Sequence, residues 1–179
     1  MMGRSRFPRF ATATMLVAMT ACPAFADDRK FFERIEGVWS GPGQIVAGKY
    51  EGTRFNCDIA GTSLAPKKGM TLKGKCRIGL FSQTISATLE QDGGEYTGTF
   101  LDGAKGKGLD VVSASVDGDR ATIGMKRPEL SGAMVARMKS DGRLGVTVSV
   151  RVNGKLLPVI GMNMSRAVDN MATSSVSKD

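Results

Sequence analysis

Phe55-Asn-Cys-Asp-Ile-Ala-Gly-Thr-Ser-Leu-Ala-Pro-Lys-Lys-Gly-Met-Thr-Leu-Lys-Gly-Lys-Cys-Arg-Ile78 reads as two strands and the turn that joins them. Pro66-Lys67-Lys68-Gly69 carries the turn residues. A reversal about Pro66-Lys67 sets Cys57 opposite Cys76. The same register puts Phe55 opposite Ile78 and Ile59 opposite Gly74 on the cysteine face. On the other face it puts Asp58 opposite Lys75 and Asn56 opposite Arg77. Apolar residues meet on one side, and acid meets base on the other. Directly opposed residues in an antiparallel pair come close enough for a disulfide to bridge them. The reading predicts a structural disulfide that stabilises the fold by about 3 kcal/mol through loop closure. Catalytic or metal-binding thiols are the rival, but the sequence contains no histidine and no Cys-x-x-Cys spacing.

Turn signals continue outward from this hairpin: Gly48-Lys49, Asp92-Gly93-Gly94, Asp117-Gly118-Asp119, Asp141-Gly142 and Asn153-Gly154. Asp-Gly and Asn-Gly supply the positive φ angles of tight hairpins. Between them lie alternating runs such as Thr84–Glu90, Val111–Val116, Ala121–Met125 and Gly145–Val150. Short hairpins make sequential strands antiparallel neighbours. The expected fold is therefore all-β, an up-and-down meander of about eight to ten strands. Closure into a barrel removes the exposed edges of so long a meander, and a two-sheet sandwich is the alternative. A short amphipathic helix is predicted over Arg29–Glu36, with Phe31, Phe32 and Ile35 on one side.

The chain opens with Arg4, Arg6 and Arg9, has no acidic residue before Asp27, and continues through an apolar stretch to Pro23-Ala-Phe-Ala26. A basic start, a short apolar middle and small residues before the cut are the parts of a secretory signal. The expected organisation is a signal peptide at 1–26 cleaved after Ala26, one β-barrel domain at 27–168 and a disordered tail at 169–179. Met19-Thr20-Ala21-Cys22 loosely matches a lipobox, so a lipoprotein anchored at Cys22 is the minor alternative. The implied location is the periplasm, an oxidising compartment that suits a disulfide. Loss of the three arginines takes the formal charge from +8 to +5, which favours anionic envelope surfaces but is no nucleic-acid signature. One Trp and two Tyr make a base-stacking platform a poor expectation. No stretch beyond residue 26 reaches membrane-spanning length.

Gly37-Val-Trp-Ser-Gly-Pro-Gly43 follows the predicted helix and opens the first strand. It resembles the Gly-x-Trp start of lipocalins and related calycin barrels, in particular the Gly-x-Trp-x-Gly-x-Gly start of nitrobindin-like domains. The resemblance implies a small barrel closed at the bottom by a cation from the last strand packed over the Trp. Here that pair would be Trp39 and Arg166, with Ile160, Met162, Met164 and Arg166 alternating onto one face. Nitrobindin-like domains hold haem through a histidine. This sequence has none, so no cofactor is expected.

Asp102-Gly-Ala-Lys-Gly-Lys-Gly108 lacks the Gly-Lys-Ser/Thr ending and the following helix of a phosphate loop, and reads as a hairpin connection. Lys73, Lys75 and Arg77 share one strand face, with Lys67 and Lys68 at the turn, and are candidates for contact with an anionic lipid or polysaccharide. Met134 and Met138 on one strand, and Met162 and Met164 on another, are candidates for lining an adaptable apolar cavity. Without histidine the common general-base and triad chemistries are absent, and Glu33, Glu51, Glu90, Glu95 and Glu129 show no pairing pattern. A long-range carboxylate pair, as in a hydrolase, stays open at this stage. The leading expectation is a non-enzymatic periplasmic barrel that binds a small apolar or amphipathic ligand or supports envelope integrity. The alternative is a filled-core interaction protein that contacts anionic envelope components or a protein partner through its basic face. Neither reading requires a metal.

Overall fold

The computed structural model describes residues 28–101 and 108–167. The predicted signal segment 1–26 and tail 169–179 lie outside the described residues, as does most of the 102–108 connection. One short helix, α1 (Asp28–Ile35), precedes ten strands: β1 (Gly37–Ile45), β2 (Arg54–Ser63), β3 (Gly69–Ile78), β4 (Phe81–Asp92), β5 (Glu95–Leu101), β6 (Leu109–Asp117), β7 (Arg120–Arg127), β8 (Leu130–Met138), β9 (Leu144–Val152) and β10 (Lys155–Arg166). Every strand pairs antiparallel with its sequence neighbours, and β1 also pairs with β10. The meander is a closed barrel, and the sandwich alternative is set aside.

Turn chemistry places the hairpins. Gly93 and Gly94 both have positive φ between Asp92 and Glu95, as do Asn153 and Gly154 between Val152 and Lys155. This is the two-residue turn whose twist matches the flanking strands. The β2–β3 register is the one read from the cysteines: Asn56 faces Arg77, Cys57 faces Cys76, Asp58 faces Lys75 and Ile59 faces Gly74. Cys57 and Cys76 are joined by a disulfide across a sequence separation of 19. Asp58 does not settle on its direct neighbour Lys75. Its carboxylate reaches the diagonal Arg77 at 3.1 Å and accepts a hydrogen bond from the Ser40 hydroxyl at 2.7 Å.

Irregularities fall where the pattern demands them. A bulge between Pro158 and Ile160 takes up the proline that cannot donate to the ladder. Among the described residues the β5–β6 seam runs from Gly98–Val111 to Phe100–Leu109. Helix α1 packs nearer the start of β5, with the Phe32 ring 6.1 Å from that of Tyr96.

Side chains point alternately in and out, and along β3 the wall carries charge outward and apolar groups inward. Buried Cys76 and Met70 alternate with exposed Lys73, Lys75 and Arg77 along β3. That polarity is the reverse of a barrel embedded in lipid, whose apolar band faces outward. Among the described residues no helix is long and apolar enough to cross a membrane. Replacing both Cys57 and Cys76 by Ala should lower the unfolding free energy by about 3 kcal/mol. Denaturant titration of the oxidised wild type against the double variant checks this.

Candidate functional site

The strand directions give the barrel two unlike ends. One receives α1, the start of β1 and the end of β10. No described element covers the other.

At the helix end, Phe31, Phe32 and Ile35 turn one face of α1 into the barrel, and all three are buried. Trp39, two residues into β1, lies beside them at 2% exposure, and its Nε1 donates to the Ile35 carbonyl at 2.9 Å. Arg166 is its register partner on β10, with the guanidinium carbon 4.7 Å from the indole centroid. The same guanidinium donates to the Glu36 carbonyl at 2.5 Å and to the Arg34 carbonyl. These are carbonyls at the C-terminus of α1, where a helix leaves acceptors unpaired and favours a cation. Gly37 is required at this point: its φ is +115°, and an added Cβ would sit 2.7 Å from Arg166 Nη1. Gly43, further up the inward face of β1, leaves the space that the Phe55 ring and Met162 fill.

Two more contacts hold the helix. Arg34 donates to the Asp119 carboxylate at 2.5 Å and to the Gly118 carbonyl at 2.8 Å. Tyr96 donates its phenol to Asp28 at 2.7 Å. Burial, and then the hydrogen bond to Asp28, push the Tyr96 phenol well above its ordinary pKa of 10.0.

Above this floor lies a continuous cavity of about 440 Å³. Ile59, Ile85, Ile123, Met134, Val148 and Ile160 point inward yet are only half-buried, because they face the void. The lining extends from Phe31, Phe32 and Trp39 at the floor to Ile78 and Val159 near the uncovered end. Gln83, Thr88, Thr99 and Ser149 are its polar members, and among the described residues no charged side chain lines it.

Of the methionines singled out in the sequence, Met134, Met162 and Met164 line this cavity. Met138 does not. It pairs with Leu144 at the helix end and packs against the core there. Met70 and Met125 line the cavity without having been singled out. Alternation along β3 and β7 was the available signal for them.

The basic residues do not form one flat patch. Lys73, Lys75 and Arg77 climb the outer wall along β3, whereas Lys67 and Lys68 sit in the β2–β3 turn at the helix end. Lys67 is paired with Glu90, which raises its pKa, and Arg77 is paired with Asp58. The cavity offers thioethers but no imidazole, so the ligand by which nitrobindin-like domains hold haem is missing from the site and from the whole sequence. Among the described residues no group of three His, Cys, Asp or Glu side chains converges as a metal site would.

No protein-family model matches the chain, and no curated protein matches it in sequence. Among solved structures it is similar to Rv2717c from M. tuberculosis, with a TM-score of 0.57 and 16% identity over 80% of this chain and 99% of that one. At that identity the likeness speaks for a shared barrel fold.

Arg166→Ala should destabilise the fold by about 1–2 kcal/mol through loss of the indole contact and of the carbonyl bonds. It should also shift the emission of Trp39, the only tryptophan of the sequence, to the red. Arg166→Lys keeps the charge but not the planar fork, and should fall between. Denaturant unfolding followed by Trp39 fluorescence reads both effects. The raised pKa of Tyr96 means that its contribution to stability is full below the ordinary phenol pKa and is lost as the pH climbs through the folded value. Unfolding free energies measured from neutral pH to above pH 10 should therefore fall less steeply in Tyr96→Phe than in the wild type.

Proposed function

We propose that this protein is an exported, non-enzymatic carrier or sensor that holds a small apolar or amphipathic molecule inside its barrel. The cavity carries this reading. A continuous void of about 440 Å³ falls within the range of about 300–1,000 Å³ typical of small-molecule sites, and its lining is almost wholly apolar. A core built only for stability would be filled, since empty apolar space costs stability. The methionines suit a site that must adapt to its occupant, because an unbranched thioether re-packs at low cost.

Export rests on the basic, apolar and small-residue order of residues 1–26 and on the disulfide, which persists in an oxidising compartment such as the periplasm. Kinship with calycin barrels is supported by the Gly37–Trp39 start and by Arg166 lying over the indole. The rival reading, contact with an envelope polymer through the β3 face, is weakened because Arg77 and Lys67 already hold carboxylates.

Mass spectrometry of protein taken from the bacterial envelope tests the proposal. The expected chain begins at Asp27 with its disulfide intact, and solvent extraction releases a lipid-like molecule near one per chain. Met134→Trp, which fills the void from its wall, should cut the recovered ligand several-fold without lowering the melting temperature. An empty wild-type barrel that takes up no fatty acid or lipid probe, and is indistinguishable from Met134→Trp, would overturn the reading.

A further inference from the structure

The outer surface of the barrel is not uniform. Among the described residues, the exposed large apolar side chains lie, with the exception of Val38, in the half of the barrel away from the helix. The β3–β4 hairpin is the clearest case. Ile78 pairs with Phe81 across a two-residue turn, with positive-φ Gly79 at its first position and Leu80 at its tip. Leu80 is fully exposed and Phe81 is 81% exposed. Neither supports the core, and hairpin tips at the helix end carry Asp, Gly and Lys instead.

The strand order runs β9, β10, β1, β2, β3, β4 around the wall, so the neighbouring features form one arc. Leu156 and Leu157 begin β10, Val46 and Tyr50 lie in the β1–β2 connection, and Leu80 and Phe81 follow at the next hairpin. The same arc carries Lys49, Arg54, Arg151 and Lys155, all exposed, against Glu51 as the one carboxylate of its loops, while Arg77 is held by Asp58. Lys49 stands 5.5 Å from the centroid of the Tyr50 ring.

An exposed apolar patch rimmed by cations has a partner of definite chemistry. Apolar side chains enter the boundary between headgroups and acyl chains, while Lys and Arg meet anionic headgroups, and tyrosine favours that boundary. A second copy of this chain is a poor fit, because docking rim to rim would bring the two basic arcs face to face. We propose that the uncovered end of the barrel docks on an anionic lipid bilayer, with the Leu80–Phe81 hairpin as its inserting tip. The docking depends on the rim alone and is separable from what the cavity holds.

The test uses the mature chain and two vesicle preparations, one of phosphatidylethanolamine with phosphatidylglycerol and one of phosphatidylcholine only. Co-sedimentation should show association with the anionic vesicles, weak association with the neutral ones, and weakening as salt is raised. Leu80→Asp with Phe81→Asp should reduce the association at least about tenfold, since each buried side chain of this size contributes more than that factor. The melting temperature should stay unchanged, because neither residue packs in the core. Charge reversal at Lys49, Arg54 and Lys155 should act in the same direction, whereas reversal at Lys73 and Lys75 on the wall should change little. Met134→Trp should bind vesicles like the wild type, so loss of cavity loading and loss of docking are read apart. Equal binding to both vesicle types, or binding untouched by the hairpin variant, overturns the proposal. So does a concentration-dependent dimer that the same variant dissolves, which would give the rim to a second copy.

Discussion

The fold depends on one cation placed between three elements. Arg166, at the end of the last strand, lies over the indole of the first strand and donates to carbonyls at the C-terminus of the helix. Barrel closure brings β1 and β10 together in any case, but ladder hydrogen bonds alone leave the end of a barrel as a ring of side chains. A guanidinium can do here what an ammonium cannot, because its planar fork stacks on a ring and donates in plane at the same time. The helix is too short to persist by itself. It holds because its free carbonyls find Trp39 and Arg166, and because Tyr96 and Asp119 take hold of its other groups.

With that end sealed, the void above becomes a property of the wall. Filling a ten-stranded barrel takes larger inward side chains than this wall provides. Several inward positions are small, among them Ala87, Gly132 and Ala136, and others are flexible methionines. The interior is thereby left open in the middle while both the floor and positions such as Phe55 and Met125 remain well packed. The disulfide ties β2 to β3 beside this space, and the Met162 thioether lies 3.9 Å from Cys57 Sγ.

Much of this was legible in the residues themselves. The Cys57–Cys76 pairing carried the register of a whole hairpin, because slipping it by one residue would turn every side chain to the wrong face. Asp-Gly and Asn-Gly marked their turns because positive φ leaves few other choices. The Gly79-Leu80 turn escaped notice for the opposite reason: Leu80 carries no turn preference, and its meaning lies in exposure, which alternation cannot report. The cavity was legible only as a set of candidate methionines, since whether inward residues meet across a barrel depends on its diameter and stagger. Met138 shows the limit. It shares a face with Met134, but two further repeats of the pleat carry it into the packing at the helix end. Lys67 and Lys68 show another, since a turn that belongs to a strand in sequence can sit at the opposite end of the barrel from that strand's last cation.

The uncharged lining also imposes a direction on whatever enters. An ionised group drawn inside would lose its hydration and find no counter-charge among the described lining side chains. An amphiphile bound as proposed would therefore enter hydrocarbon first, its ionised head held back among the arginines and lysines of the mouth. Its methyl end would then point toward the indole of Trp39, which Arg166 and the helix back from behind. On the proposed function the barrel would act as a depth gauge: chains shorter than the distance from mouth to indole would leave it partly empty, and longer ones would have to fold back or stay outside.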